Sequence, residues 1–126
     1  MTDATSTVSE LMRSVIGLVR EKGWGDGEGI QNPQQVAMAM TVEMSELLEH
    51  FQWLSSEDVE GMLRGGDRGR VRQIGEEFAD VMIYGLQLCH SLKIDVSAEI
   101  ERKLEIVRNR APLAPGACEG EGVEGG

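Results

Sequence analysis

Two short acidic patterns carry the chemistry in this chain. Glu43 and Glu46 frame Glu-Met-Ser-Glu, and Glu77 and Asp80 frame Glu-Phe-Ala-Asp. Residues three apart share a helix face. Each pair, on a helix, projects two carboxylates side by side. Four carboxylates from two packed helices form a set of hard oxygen ligands suited to Mg2+ or Mn2+. Neither His50 nor His90 has a Glu three residues before it, so a Glu-x-x-His di-iron site is not indicated. Zinc has no Cys-x-x-Cys to hold it. Ions of the Mg2+ type bind substrate phosphates, stabilise developing charge and activate water. Glu-x-x-Glu alone is common on solvated helices. What singles out these pairs is that both flank strong apolar stripes on neighbouring long helices.

Those helices follow from the periodicity. A first helix is expected from about Ser6 to Glu21, with Val8, Leu11, Met12, Val15, Leu18 and Val19 at helical spacing. Gly23-Trp24-Gly25-Asp26-Gly27-Glu28-Gly29 then breaks it. This reads as a flexible loop, either a plain linker or, through Trp24, part of a ligand site. It does not match the dinucleotide fingerprint, since no strand precedes it and the spacing fails. A second helix is expected from Asn32-Pro33 to Leu54, with Asn32 as cap and Pro33 at the first position. Val36, Met40, Met44, Leu47, Phe51 and Leu54 make its buried seam. Ala39, Glu43, Glu46, His50 and Trp53 make an adjoining stripe, roughly a quarter-turn away.

Ser55 or Ser56 can cap a short helix over about Glu57 to Leu63. Arg64, Arg68, Arg70 and Arg72 follow; a solvated basic loop is the plain reading and phosphate contact the alternative. A third long helix covers about Arg70 to Leu92. Val71, Ile74, Phe78, Val81, Gly85, Leu88 and Leu92 form its core stripe, flanked by Glu77, Asp80 and Tyr84. Its second half is apolar on nearly every side, and packing against another subunit would cover Val81, Met82, Ile83, Leu86 and Leu88. A fourth helix, capped by Asp95, runs from about Val96 to Arg110 on Ile100, Leu104 and Val107. The remainder, rich in Gly, Pro and Glu, is expected to be disordered. The organisation is thus one all-α domain over 1–112 and a Gly/Glu-rich tail over 113–126.

The whole chain agrees with such a site. It has 126 residues, 22 acids against 12 bases and a net charge of -10. That balance opposes binding to nucleic acid or anionic membrane, so neither is expected as a partner. A phosphate substrate would need a cation as mediator. No apolar run approaches a membrane span and no signal segment opens the sequence. Two cysteines, Cys89 and Cys118, give no disulfide framework, so the expected location is cytoplasmic. Aromatic side chains near a metal cluster are what stacking on a nucleobase requires. Trp53 and Tyr84 each extend an acid stripe.

The acids and their surroundings, EMSELLEHFQWLSSED and GEEFADVMIYGLQL, resemble the MazG-like nucleoside triphosphate pyrophosphohydrolases. The resemblance runs from the first helix to about Pro112 and is greatest to the small single-domain branch that includes dCTP pyrophosphatases. It implies an all-α bundle of four main helices plus a short connecting helix. It also implies a homo-oligomer, a dimer or a tetramer built as a dimer of dimers, the tetramer being the expected form. The implied reaction is Mg2+-dependent hydrolysis of a nucleoside triphosphate to monophosphate and pyrophosphate, by attack of water on the α-phosphorus, in clearance of unwanted nucleotides. Mn2+ is a possible substitute for Mg2+. Carried over, Glu43, Glu46, Glu77 and Asp80 hold the metal and one of them orients the water. Trp24, Trp53 and Tyr84 match base-pocket aromatics of the dCTP branch, and Lys103 matches a lysine near the phosphates. Val15 and Val107 stand where that branch has a histidine and an asparagine, and the loop after Trp24 is longer. These departures bear on base selectivity. Rival readings are a dUTP/dUDP or phosphoribosyl-ATP hydrolase of the same fold, and a helical module that binds nucleotide or protein without turnover.

Overall fold

The structure, a computed structural model, describes residues 1–110, which contain five helices and no strand. Helix α1 covers Val8–Glu21, α2 Pro33–Glu49, α3 Ser56–Leu63, α4 Arg68–Leu92 and α5 Val96–Arg108. The all-α fold, with four main helices and a short connecting one, is therefore what the sequence indicated. The tail expected over 113–126 lies outside the described residues, as does the boundary at 112. The chain divides into two compact units, Met1–Val96 and the part from Ser97 onward, which holds most of α5.

Local chemistry sets the boundaries. Thr7 starts α1 with a reciprocal capping box: its hydroxyl accepts from the Glu10 N–H, and the Glu10 carboxylate accepts from the Thr7 N–H. Asn32 Oδ1 caps α2 by accepting from the N–H groups of Gln34 and Gln35, with Pro33 as first residue. Ser55 and Asp58 form a second capping box at α3. That contact holds the Asp58 carboxyl below its ordinary range, chiefly through the Ser55 backbone hydrogen bond.

The second helix is shorter than expected. It ends at Glu49, not Leu54. From His50 the backbone tightens to three-residue hydrogen bonds, His50 N–H to Leu47 and Phe51 N–H to Leu48. The physical reason lies at His50: its carbonyl accepts from Arg70 of α4, and Leu54 N–H donates to Phe51, closing a turn before Ser55 starts α3 from an extended backbone (φ -79°, ψ 165°). Phe51 and Trp53 consequently fall off the α2 stripes.

Within the first unit, α4 is the central element, packed on both α2 and α1. Ile16, Val19, Val36, Val81 and Leu86 are its buried apolar core. Gly85 faces α2, and a Cβ there would stand at ordinary van der Waals distance, 3.5 Å, from Met40 Cε. Several expected core residues are not covered by their own chain, among them Met44 (47% exposed) and Phe78 (54%). Conversely, Val81 and Leu86, expected near a subunit interface, are buried within the chain, and Met82 is the member of that group left exposed.

Candidate functional site

The face that α2 turns toward α4 is not purely apolar. Glu43 and Glu46 are half-buried on it, and Glu77 is half-buried on α4. One carboxylate oxygen each of Glu43, Glu77 and exposed Asp80 lie within 4.8 Å of one another. The acids therefore sit in the packing of α2 against α4 and not a quarter-turn from it. Buried Glu43 Oε2 has no hydrogen-bond partner among the described residues. Burial first, then Glu46, Asp80 and Glu77, push the Glu43 carboxyl above its ordinary pKa. Glu46, three residues along α2, is thus electrostatically part of the group although it lies outside the closest trio.

This arrangement fits a divalent cation. A like-charged cluster with an orphaned buried oxygen is costly on its own, and it is relieved by a hard ion that takes oxygen ligands. The donor set has no sulfur. His50, at the C-terminal cap of α2, holds Nε2 3.7 Å from Glu77 Oε1. Its backbone carbonyl accepts from Arg70, which also pairs with Asp67 at the start of α4. His50 was not among the expected site residues, although its position four residues after Glu46 placed it on the acid stripe. Arg64 pairs with Glu60 and Arg72 with Glu76, so three of the four basic-loop arginines have acidic partners close by in sequence, as a solvated surface would have.

A cleft of about 340 Å³ opens from the acids. Glu43 and Asp80 line it together with Trp24, Gln31, Tyr84 and Gln87. Two of the expected aromatics, Trp24 and Tyr84, are in its wall. Trp53 is not: it lies in the turn after α2, 86% exposed. Lys103 is an exposed residue of α5 in the second unit. Gln31 and Gln87 were not singled out by sequence, since an isolated glutamine has no periodic signature.

Trp24 is placed by an ordered loop. The sequence suggested flexibility, but the backbone is closely bonded. Trp24 N–H donates to Val19, and Asp26 N–H donates to Ile30 at 2.9 Å. Asp26 Oδ1 accepts from Glu28 and Ile30. Gly25 has φ +72°, and a Cβ there would lie 2.3 Å from the Ile30 carbonyl oxygen. The loop is tied to the far end of α4: Gln31 N–H donates to Ser91 Oγ at 3.0 Å, and His90 Nε2 contacts the Glu28 carbonyl at 3.1 Å.

The cleft's relatives are informative. The MazG-like family model matches residues 38–117, more than half of the chain, including all four acids. The human protein dCTP pyrophosphatase 1 is 28% identical over 106 residues, covering 84% of this chain. The bovine protein of that name is 27% identical over 107 residues, covering 85%. The chain spans only 59% and 60% of those two relatives' lengths. A crystal structure of a pyrophosphatase from Archaeoglobus fulgidus superposes with a TM-score of 0.68 at 29% identity, covering 90% of this chain and 99% of that one. With an all-helical fold that brings the signature acids of α2 and α4 to one point, and a family match across most of its length, the chain belongs to the MazG-like family.

Proposed function

We propose that this protein is a Mg2+-dependent nucleoside triphosphate pyrophosphohydrolase with a preference for dCTP. The observation that carries the reading is one cleft lined both by carboxylates, Glu43 and Asp80, and by the aromatics Trp24 and Tyr84. The names of the human, bovine and archaeal relatives support it. Glu43, Glu46, Glu77 and Asp80 would hold the cation, which supplies charge neutralisation at the phosphates and a more acidic water. Mn2+ should substitute, as its ligand preferences are similar. One carboxylate orients the attacking water and takes its proton. The new bond forms between that water's oxygen and the α-phosphorus. The bond from the α-phosphorus to the α–β bridging oxygen breaks, and pyrophosphate leaves. Tyr84, one turn after Asp80, and Trp24 stack on the base.

Exposed apolar residues on α2 and α4 support a homo-oligomer, read as a dimer of dimers, in which Trp53 is also covered. Among the described residues no helix is long and apolar enough to cross a membrane. A cytoplasmic place, where nucleotides are abundant, fits this activity. The test is incubation with a panel of nucleoside triphosphates plus Mg2+, assaying pyrophosphate against orthophosphate. Pyrophosphate release that stops in excess chelator and returns with Mg2+ or Mn2+ is expected. Full turnover in chelator by metal-free protein would overturn the metal assignment. Binding without any turnover would favour a non-catalytic nucleotide module. Preference for uracil nucleotides, or for phosphoribosyl-ATP, would move the protein to a sister activity of the same fold.

A further inference from the structure

The cleft has a direction, because α4 forms one wall. Asp80, Tyr84, Gln87 and Ser91 follow one another at steps of four, three and four residues, and so share a face. Asp80 marks the acid end. Gln87 lies seven residues on, about 10 Å along the axis. Ser91, one turn further, holds the Gln31 backbone N–H at 3.0 Å. Gln31 is thereby held over the Gln87–Ser91 turn, at the end away from the carboxylates. A nucleotide with its phosphates at the acids and its ring against Tyr84 would bring its base edge to these two amides.

One of these amides carries an unmet atom, and the other is buried in the same wall. Gln31 Oε1 is buried and lacks a hydrogen-bond partner among the described residues. Gln87 is 2% exposed and lines the same cleft. A buried polar atom without a partner is costly, and a pocket built to bond a polar substrate group discriminates strongly against an analogue lacking it. As the Gln31 amide is oriented, the unpartnered atom is its oxygen, an acceptor. Cytosine and adenine present an amino group, a donor, at that part of the base edge, whereas uracil and thymine present a carbonyl acceptor. The Gln87 amide N–H2 is suited to the adjoining ring nitrogen, an acceptor in both amino bases.

We propose that Gln31 and Gln87 determine base specificity. Gln31 Oε1 accepts from the exocyclic amine of an amino base, and Gln87 donates to the neighbouring ring nitrogen. The inference rests on the pyrophosphohydrolase reading and adds the residues that select the base. Dependence of selectivity on Gln31 is fixed by the loop that carries it, so Gln31 acts in both binding and orientation of the base.

The test uses the whole chain with Mg2+ and compares kcat/KM for dCTP and dUTP, which differ in size very little. The wild type should favour dCTP. Gln31→Leu should lower the dCTP/dUTP ratio by roughly 10-fold, the scale of a lost base-edge contact, and Gln87→Leu should lower it too. Gln31→Glu keeps the shape and the acceptor, and should preserve or raise the ratio; circular dichroism confirms folding in each case. An active wild type whose ratio is unchanged in both leucine variants overturns this inference alone. So does a Gln31→Glu protein that prefers dUTP. A wild type that releases pyrophosphate from no nucleotide overturns the parent reading, and this inference with it.

Discussion

Glu43 concentrates the conflict on which the proposed site depends. Its half-buried carboxyl neighbours three other acids and is held above the ordinary glutamate range, first by burial and then by those neighbours. The folded metal-free chain therefore binds a proton there that the unfolded chain has already released. The sign follows from linkage: stability is greatest below the ordinary glutamate pKa and falls as pH rises from there through the raised folded value. Glu43→Gln should flatten that fall and raise the melting temperature of the metal-free protein at neutral pH, while activity drops by at least about 100-fold. Melting curves across pH in chelator, beside initial rates in Mg2+, check both halves. A wild-type melting temperature that rises through that window would contradict the assignment. The four acids were legible in sequence because helical spacing alone puts each pair on one face. The half-burial of Glu43, Glu46 and Glu77 was not, because it depends on which side of α2 meets α4: the expected seam included Met44, which is left exposed, while Glu43 is turned inward.

At the scale of elements, the loop after α1 governs the cleft as much as the helices do. Gly25 is its tightest point, with a left-handed backbone and the Ile30 carbonyl oxygen where a side chain would begin. Gly25→Ala should cost at least about 1–2 kcal/mol from the backbone alone. It should also raise KM about 10-fold by displacing Trp24 and Gln31, the scale of one weakened base stack, while helix content holds. Unchanged KM with normal folding would show that the loop does not shape the substrate site. Sequence reading found this segment from its glycines but could not find its order, which rests on Asp26 bonding its own loop and on contacts to Ser91 and His90, far along the chain. The misplaced end of α2 has a similar origin. Phe51 and Leu54 continue the apolar rhythm, but the His50 carbonyl is taken by Arg70, twenty residues on, and the chain turns there.

At the scale of the whole molecule, apolar surface remains. Met38 (64%) and Val42 (56%) are exposed one turn apart on α2, and Phe78 and Met82 one turn apart on α4. Two copies covering such faces would bury more than about 2,000 Å² if the assembly is obligate. Light scattering should give a mass of at least two chains at micromolar concentration, and Met38→Glu with Met82→Lys should lower it. A stable wild-type monomer would remove the oligomer from the reading. The all-α fold was legible because aliphatic periodicity fills the chain. Which apolar side faces its own chain was not, since both sides of α4 are apolar and only packing chooses between them. Cys89 is one outcome of that choice: it ends half-buried, and burial pushes its thiol up, away from the reactive thiolate.

The tie between Gln31 and Ser91 also bears on time. It spans 60 positions of the chain, and its companion between Glu28 and His90 spans 62. Contacts so distant in sequence close late, because much of the intervening chain must be ordered first. During synthesis α1 and the loop leave the ribosome long before the end of α4 exists. The acid end of the cleft can assemble once Glu77 and Asp80 meet α2. The Gln31–Gln87 end must wait for the last turn of α4, so on the proposed function a phosphate-gripping site would form before a base-selecting one.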